Sequence, residues 1–208
     1  MNKLFKQVEL LKGALPSTGV VGLYFSAQWC VPCQGFTSTL AEAYKKIKEA
    51  ADKPFEIVFI SSDHNQEQFD SYFAEMPWLA LPFDQRELKK NLSRKFRVNG
   101  IPSLILLDAK TGTIITVDGR NALSKDPTGE NYPWVPPSPL EVLGTKFVTA
   151  TGECDESAIQ GKYVGIFFSA HWRLSYRDFT PQLVEAYKKI KAVRSDFEVV
   201  FCSADREE

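Results

Sequence analysis

Gly22-Leu23-Tyr24-Phe25-Ser26-Ala27-Gln28-Trp29 stands near the start of the chain and returns as Gly165-Ile166-Phe167-Phe168-Ser169-Ala170-His171-Trp172. The next segments return too. Ala43-Tyr44-Lys45-Lys46-Ile47-Lys48 recurs unchanged at 186–191, and Phe55-Glu56-Ile57-Val58-Phe59 becomes Phe197-Glu198-Val199-Val200-Phe201. Self-similarity on this scale marks a repeated supersecondary unit. Residues 20–26 and 55–60 are short, apolar and rich in β-formers, the pattern of strands buried on both faces. Between them Phe36, Leu40, Tyr44 and Ile47 lie three or four residues apart, which predicts a helix with one apolar stripe. Each copy is therefore a βαβ unit. Asp63 with Gln66, and Asp205 with Glu208, have the spacing of a capping box, which assigns those aspartates to helix starts.

Only the first copy continues. Phe69, Tyr72, Phe73 and Met76 predict a second helix ending at Pro77, and Leu88, Leu92 and Phe96 predict another. Residues 101–107 read as a strand opening on a proline, with Thr111-Gly112 turning into a further strand over 113–117. Pro133-Trp134-Val135-Pro136-Pro137-Ser138-Pro139 reads as a linker. The organisation expected is a first domain over 1–140, including that linker, and a partial module over 141–208. Two strands and one helix leave the partial module with a bare sheet edge and a bare helix face.

The 208 residues carry 25 basic and 26 acidic side chains, well interspersed, and 44% hydrophobic residues. That balance suits a globular chain and speaks against a nucleic-acid or anionic-membrane surface. No apolar run approaches the roughly 20 residues that span a bilayer. Met1 to Glu9 contain no uninterrupted apolar core of a leader, so a cytoplasmic, or also nuclear, address is expected. Four cysteines are too few for a disulfide-stapled scaffold and point to chemistry instead.

Cys30-Val31-Pro32-Cys33 falls where the first strand gives way to the helix. Three residues apart at a helix start, the sulfurs project to one side within a turn. Cys30 sits near unpaired backbone N–H groups and the positive end of the helix dipole, which stabilise its thiolate. A free thiol titrates near about 8.5, and in such pairs the value falls to about 7 or lower. Cys33, one turn deeper, is expected to be better shielded. Pro32 suits a first turn that has no use for its missing N–H. The pair can run a dithiol cycle: Cys30 thiolate attacks a disulfide, then Cys33 attacks the Cys30 sulfur and releases the product. Two structural cysteines or half of a zinc site are the competing readings. A zinc site needs a second ligand pair, and Cys154, Cys202, His64 and His171 are scattered.

Trp29-Cys30-Val31-Pro32-Cys33, together with Met76-Pro77-Trp78-Leu79-Ala80-Leu81-Pro82-Phe83, Gly100-Ile101-Pro102-Ser103-Leu104 and the segment 125–134, resembles the nucleoredoxin and tryparedoxin branch of the thioredoxin superfamily. The likeness runs over about 18–136 and resumes over about 161–208. It implies an α/β, thioredoxin-like fold, a central mixed sheet flanked by helices, followed by the degenerate second unit. It makes Cys30 the nucleophile, Cys33 the resolving thiol, and Pro102 a cis-proline with Ile101 offering backbone to an extended substrate. Trp29 and Arg120 match positions near the substrate, although Arg120 also reads as an exposed hairpin arginine. Trp78 reads as packing.

Two departures stand out. Where many thioredoxins have a buried aspartate, six residues before the nucleophile, this chain has Tyr24. Where the repeat would place a second dithiol, Arg173 and Tyr176 stand, so the second copy cannot run the cycle. Cys202 aligns with Ile60 inside a strand and reads as a small buried hydrophobe; Cys154 reads as an incidental loop thiol. The expected activity is that of a thiol–disulfide oxidoreductase, a disulfide reductase on protein or small-thiol disulfides. It needs no bound cofactor or metal and draws electrons from an external reductase or dithiol. The alternative is a redox-regulated interaction module whose degenerate copy binds partners.

Overall fold

The computed structural model describes residues 15–50, 54–172 and 174–205, all with side chains except 174–177. Met1 to Glu9, Arg173 and Glu208 lie outside these residues, as does the side chain of Tyr176. The chain divides into two compact units at Pro136/Pro137.

In the first unit, β1 (Val20–Ser26) is buried along its whole length because it has strands on both edges. It pairs in parallel with β2 (Phe55–Ser61), Val20 opposite Phe55 and Ser26 opposite Ser61. Its other edge pairs antiparallel with β4 (Ser103–Asp108), Tyr24 opposite Leu104. With β3 (Leu79–Ala80) and β5 (Ile114–Thr116) the sheet order is β3-β2-β1-β4-β5. Strand alternation divides the side chains into two cores. Val20, Tyr24, Ile57, Phe59, Leu104 and Leu106 share one, with Leu40, Tyr44 and Ile47 of α1 (Val31–Ala50) and Phe69 and Tyr72 of α2 (Gln66–Phe73). Val21, Leu23, Phe25, Val58, Ile60, Ile105 and Leu107 share the other, with Leu92 of α3 (Arg86–Lys95) and Phe96. Covering on both faces is why these strands read as unbroken apolar runs rather than alternating ones.

Two expectations need correction. α2 is capped by Asn65, whose side chain accepts from Gln68 N at 2.9 Å, so Asp63 does not start that helix. Nor is the proline-rich segment all linker. Trp134 is buried in the first core, and its ring meets that of Tyr132 edge-on at 5.7 Å. The aromatic residues there have more apolar surface to bury than the prolines have to expose.

Asp126, at the end of α4 (Gly119–Lys125), organises this closing loop. Its carboxylate accepts from Trp134 Nε1 at 2.9 Å, from Asn131 N at 2.8 Å and from Glu130 N at 3.1 Å. The Trp134 bond, then the backbone donors, hold the carboxyl below its ordinary value. A group depressed in the folded state stabilises above its unfolded value, about 3.9, and loses that contribution as pH falls through the lower folded value. Asp126→Asn is therefore expected to lower Tm by a few degrees at pH 7, with the gap to wild type closing toward pH 2. Thermal melts across that range check it.

The second unit opens with a capped turn of helix, α5 (Pro139–Leu143), with Ser138 and Glu141 forming a capping box. A hairpin comes next, β6 (Lys146–Thr149) with β7 (Gly152–Asp155), which the sequence pattern does not announce. Then come β8 (Tyr163–Ser169), α6 (Leu174–Val193) and β9 (Phe197–Ser203). β8 and β9 pair in parallel, Tyr163 opposite Phe197 and Ser169 opposite Ser203, the register of β1 on β2. The repeat extends to single hydrogen bonds. Tyr44 donates to Glu56 at 2.8 Å and Tyr187 to Glu198 at 2.6 Å, with Lys48 and Lys191 on the respective carboxylates. Among the described residues no third strand joins β8 and β9. No described helix is long and apolar enough to cross a membrane.

Candidate active site

The end of β1 and the start of α1 make the site. After Ser26 the chain turns through Ala27, Gln28 and Trp29, and Cys30 N closes the turn on Ala27 O at 3.2 Å. Helix begins at the next residue, and Cys33 N and Gln34 N both bond to Cys30 O. Cys30 and Cys33 form a disulfide, with Cα atoms 5.2 Å apart. Their environments differ as expected: Cys30 is 7% exposed and Cys33 0%. Of the two, only Cys30 reaches the surface.

Opposite lies the loop before β4. The Ile101–Pro102 bond is cis, and Ile101 O stands 3.9 Å from Cys30 Sγ. Ile101 packs with Ala27, Cys30 and Cys33. Trp29, half exposed, stacks on the His64 ring at 5.4 Å and donates its Nε1 proton to Ser62 O at 3.1 Å. The structure thus brings Trp29, Cys30, Cys33 and Ile101 together. Arg120 is not on a hairpin but in the first turn of α4, exposed on the surface. The preceding Gly119 lies so close to β4 that a Cβ there would stand 2.8 Å from Leu104 O. Arg120 therefore starts from the Pro102 end of β4. Trp78 is buried between Tyr24 and Tyr44, a packing residue.

Beneath the dithiol lies a set of hydroxyls that sequence reasoning misses. Tyr24 Oη is 2.7 Å from Thr37 Oγ1 and 3.3 Å from Cys33 O. Thr37 donates to Cys33 O at 2.9 Å and meets Tyr72 Oη at 2.5 Å, and Tyr72 meets Ser26 Oγ at 3.0 Å. Burial pushes the Tyr24 phenol well above its ordinary value, so it remains a neutral donor. A polar Thr37 within the apolar stripe of α1 is the one sequence signal of this network.

Asp63, expected at a helix start, instead holds the active-site turn. Its carboxylate accepts from Gln28 N and from Ser61 Oγ, both at 2.7 Å. The second unit rebuilds this detail: Asp205 accepts from His171 N at 2.6 Å and from Ser203 Oγ at 2.9 Å. The turn is thus kept in the copy that lacks the cysteine pair. Cys202 lies within β9 and Cys154 within β7, both half-buried free thiols. The described residues contain no cluster of three or more metal-ligating side chains.

This sheet order, with a cysteine pair at the start of α1 facing a cis-proline, defines a class. A thioredoxin-like family model matches residues 19–114 and 161–208, and the chain belongs to that family. Its relatives lie in the nucleoredoxin and tryparedoxin branch. Nucleoredoxin of Danio rerio is 41% identical over 192 residues, covering 91% of this chain and 46% of that protein. Tryparedoxin of Trypanosoma brucei brucei is 49% identical over 133 residues, covering 64% of this chain and 90% of that one. Among solved structures, tryparedoxin from Trypanosoma brucei superposes with a TM-score of 0.55 at 49% identity, over 58% of this chain and 83% of that one. Tryparedoxin II complexed with glutathionylspermidine gives 0.55 at 41% identity, over 57% and 81%. The chain spans about half the length of the nucleoredoxins it matches.

Proposed function

We propose that this chain is a thiol–disulfide oxidoreductase that works as a disulfide reductase. The observation that carries the reading is the pairing of a surface-reaching Cys30 with a buried Cys33 at the start of α1, beside the Ile101 main chain. In the reduced protein the Cys30 thiolate attacks one sulfur of a substrate disulfide. A Cys30–substrate disulfide forms and the other substrate sulfur leaves as a thiolate. Cys33, deprotonated, attacks Cys30 Sγ and expels the second substrate thiolate. Two electrons have passed to the substrate and the protein is left with the Cys30–Cys33 disulfide. An external dithiol or reductase returns the two electrons.

Trp29 forms the rim on one side of Cys30, Ile101 and Pro102 the other, and Arg120 offers a positive charge to an anionic substrate. The glutathionylspermidine of the tryparedoxin II complex makes low-molecular-weight thiols a natural substrate class beside protein disulfides. A cycle recharged by thiols suits a reducing compartment, cytoplasmic or nuclear. Reduction of insulin disulfides with dithiothreitol as donor tests the reading. The protein is expected to turn over well above dithiothreitol alone; a rate equal to that background contradicts it.

A further inference from the structure

Arg86 takes no part in the dithiol cycle, yet its side chain runs from the first turn of α3 to the segment that holds the active-site turn. Its Nε donates to Phe83 O at 2.5 Å and its Nη1 to Ser61 O at 3.2 Å, and the guanidinium lies over the Phe83 ring at 4.1 Å. Its Nη2 is buried and no described group accepts from it.

Asp63 is 6% exposed and accepts from Gln28 N, two residues before Cys30. Asp205, its counterpart in the second unit, makes the same bonds while exposed to water. A buried carboxylate close to a thiolate opposes that thiolate unless a cation balances it. Arg86 is a cation whose Nη1 bonds to Ser61 O, in the same segment as Asp63. Burial works against its charge, and Asp63 is the first of the anions that favour it.

We infer that Arg86 is a positioning residue for the dithiol: it fastens Ser61 to Phe83 and balances Asp63 beneath the Gln28–Cys30 turn. The inference deepens the reductase reading and rests on it. The other elements around the turn bring the imidazole of His64, stacked on Trp29, and uncharged groups, Gln34 of α1 and Ile101 before β4. Asp84, before α3, and Lys89, within it, are the other charged groups near Arg86; Asp63 and Arg86 are the pair joined through Ser61 to the turn.

The test is the pH profile of iodoacetamide alkylation of the reduced protein, followed at Cys30 by peptide mass mapping. It reads acidity and needs no turnover, so it stands apart from the insulin assay. Arg86→Gln is expected to slow alkylation of Cys30 near pH 7 by about threefold, with the midpoint moved up by about half a unit. Arg86→Lys keeps the charge and is expected to stay close to wild type. Asp63→Asn in the Arg86→Gln background removes the unbalanced anion, keeps an acceptor for Gln28 N, and is expected to restore the wild-type midpoint. An unchanged midpoint in Arg86→Gln, or a shift that Asp63→Asn leaves in place, overturns the inference.

Discussion

Serine at position 30 is expected to bring insulin reduction down to the rate of dithiothreitol alone. A serine hydroxyl at that turn has the same neighbours and the same helix start, but it holds its proton at neutral pH and cannot form a disulfide. Cys33 cannot take over, because its side chain is fully buried, packed with Ala27, Cys30 and Ile101. Cys33→Ser is expected to lose turnover for a different reason. Attack by Cys30 still occurs, but no thiol is left to release the product, and the protein stops as a mixed disulfide. A Cys30→Ser protein that retained wild-type turnover would move the chemistry to Cys154 or Cys202.

The largest effect on stability is expected from Phe59→Ala. Phe59 is 0% exposed and its ring meets those of Tyr24, Phe69, Tyr72 and Phe73. Truncation opens a cavity between β2 and α2, at a cost of about 3–5 kcal/mol. Phe201 occupies the same register position on β9, yet it is 56% exposed. Its replacement by alanine is expected to cost under about 1 kcal/mol. Urea unfolding of the two variants checks the pair; equal losses would mean that the second unit is packed as densely as the first. The contrast matters for function, because α2 holds Tyr72 in the hydroxyl set beneath the dithiol and β2 holds Ser61 against Asp63.

Much of the fold and site is legible in the sequence for identifiable reasons. Strands β1 and β2 and helix α1 can be read because apolar period and repeat agree on the same residues. Cys30 and Cys33 stand out because their spacing at a strand-to-helix junction has few other uses. Asp63 misleads because its spacing to Gln66 mimics a capping box, while its real partner, Gln28 N, is brought near only by pairing β1 with β2. Arg120 reads as a hairpin residue because α4 comes only two residues after β5, Val117 and Asp118, too short a gap to show. The Tyr24–Thr37–Tyr72–Ser26 hydroxyls and the reach of Arg86 to Ser61 are long-range contacts between different elements, and beyond a polar Thr37 in the apolar stripe of α1 no local pattern encodes them. The hairpin of β6 and β7 lies in exposed, mixed-polarity sequence, where alternation is weak.

The most direct measurement of the central claim is the intact mass and peptide map of Cys33→Ser after incubation with glutathione disulfide. The expected result is a single glutathione adduct, on Cys30, removed by dithiothreitol. Adduct on Cys154 or Cys202 with Cys30 unmodified, or no adduct at all, would contradict Cys30 as the nucleophile.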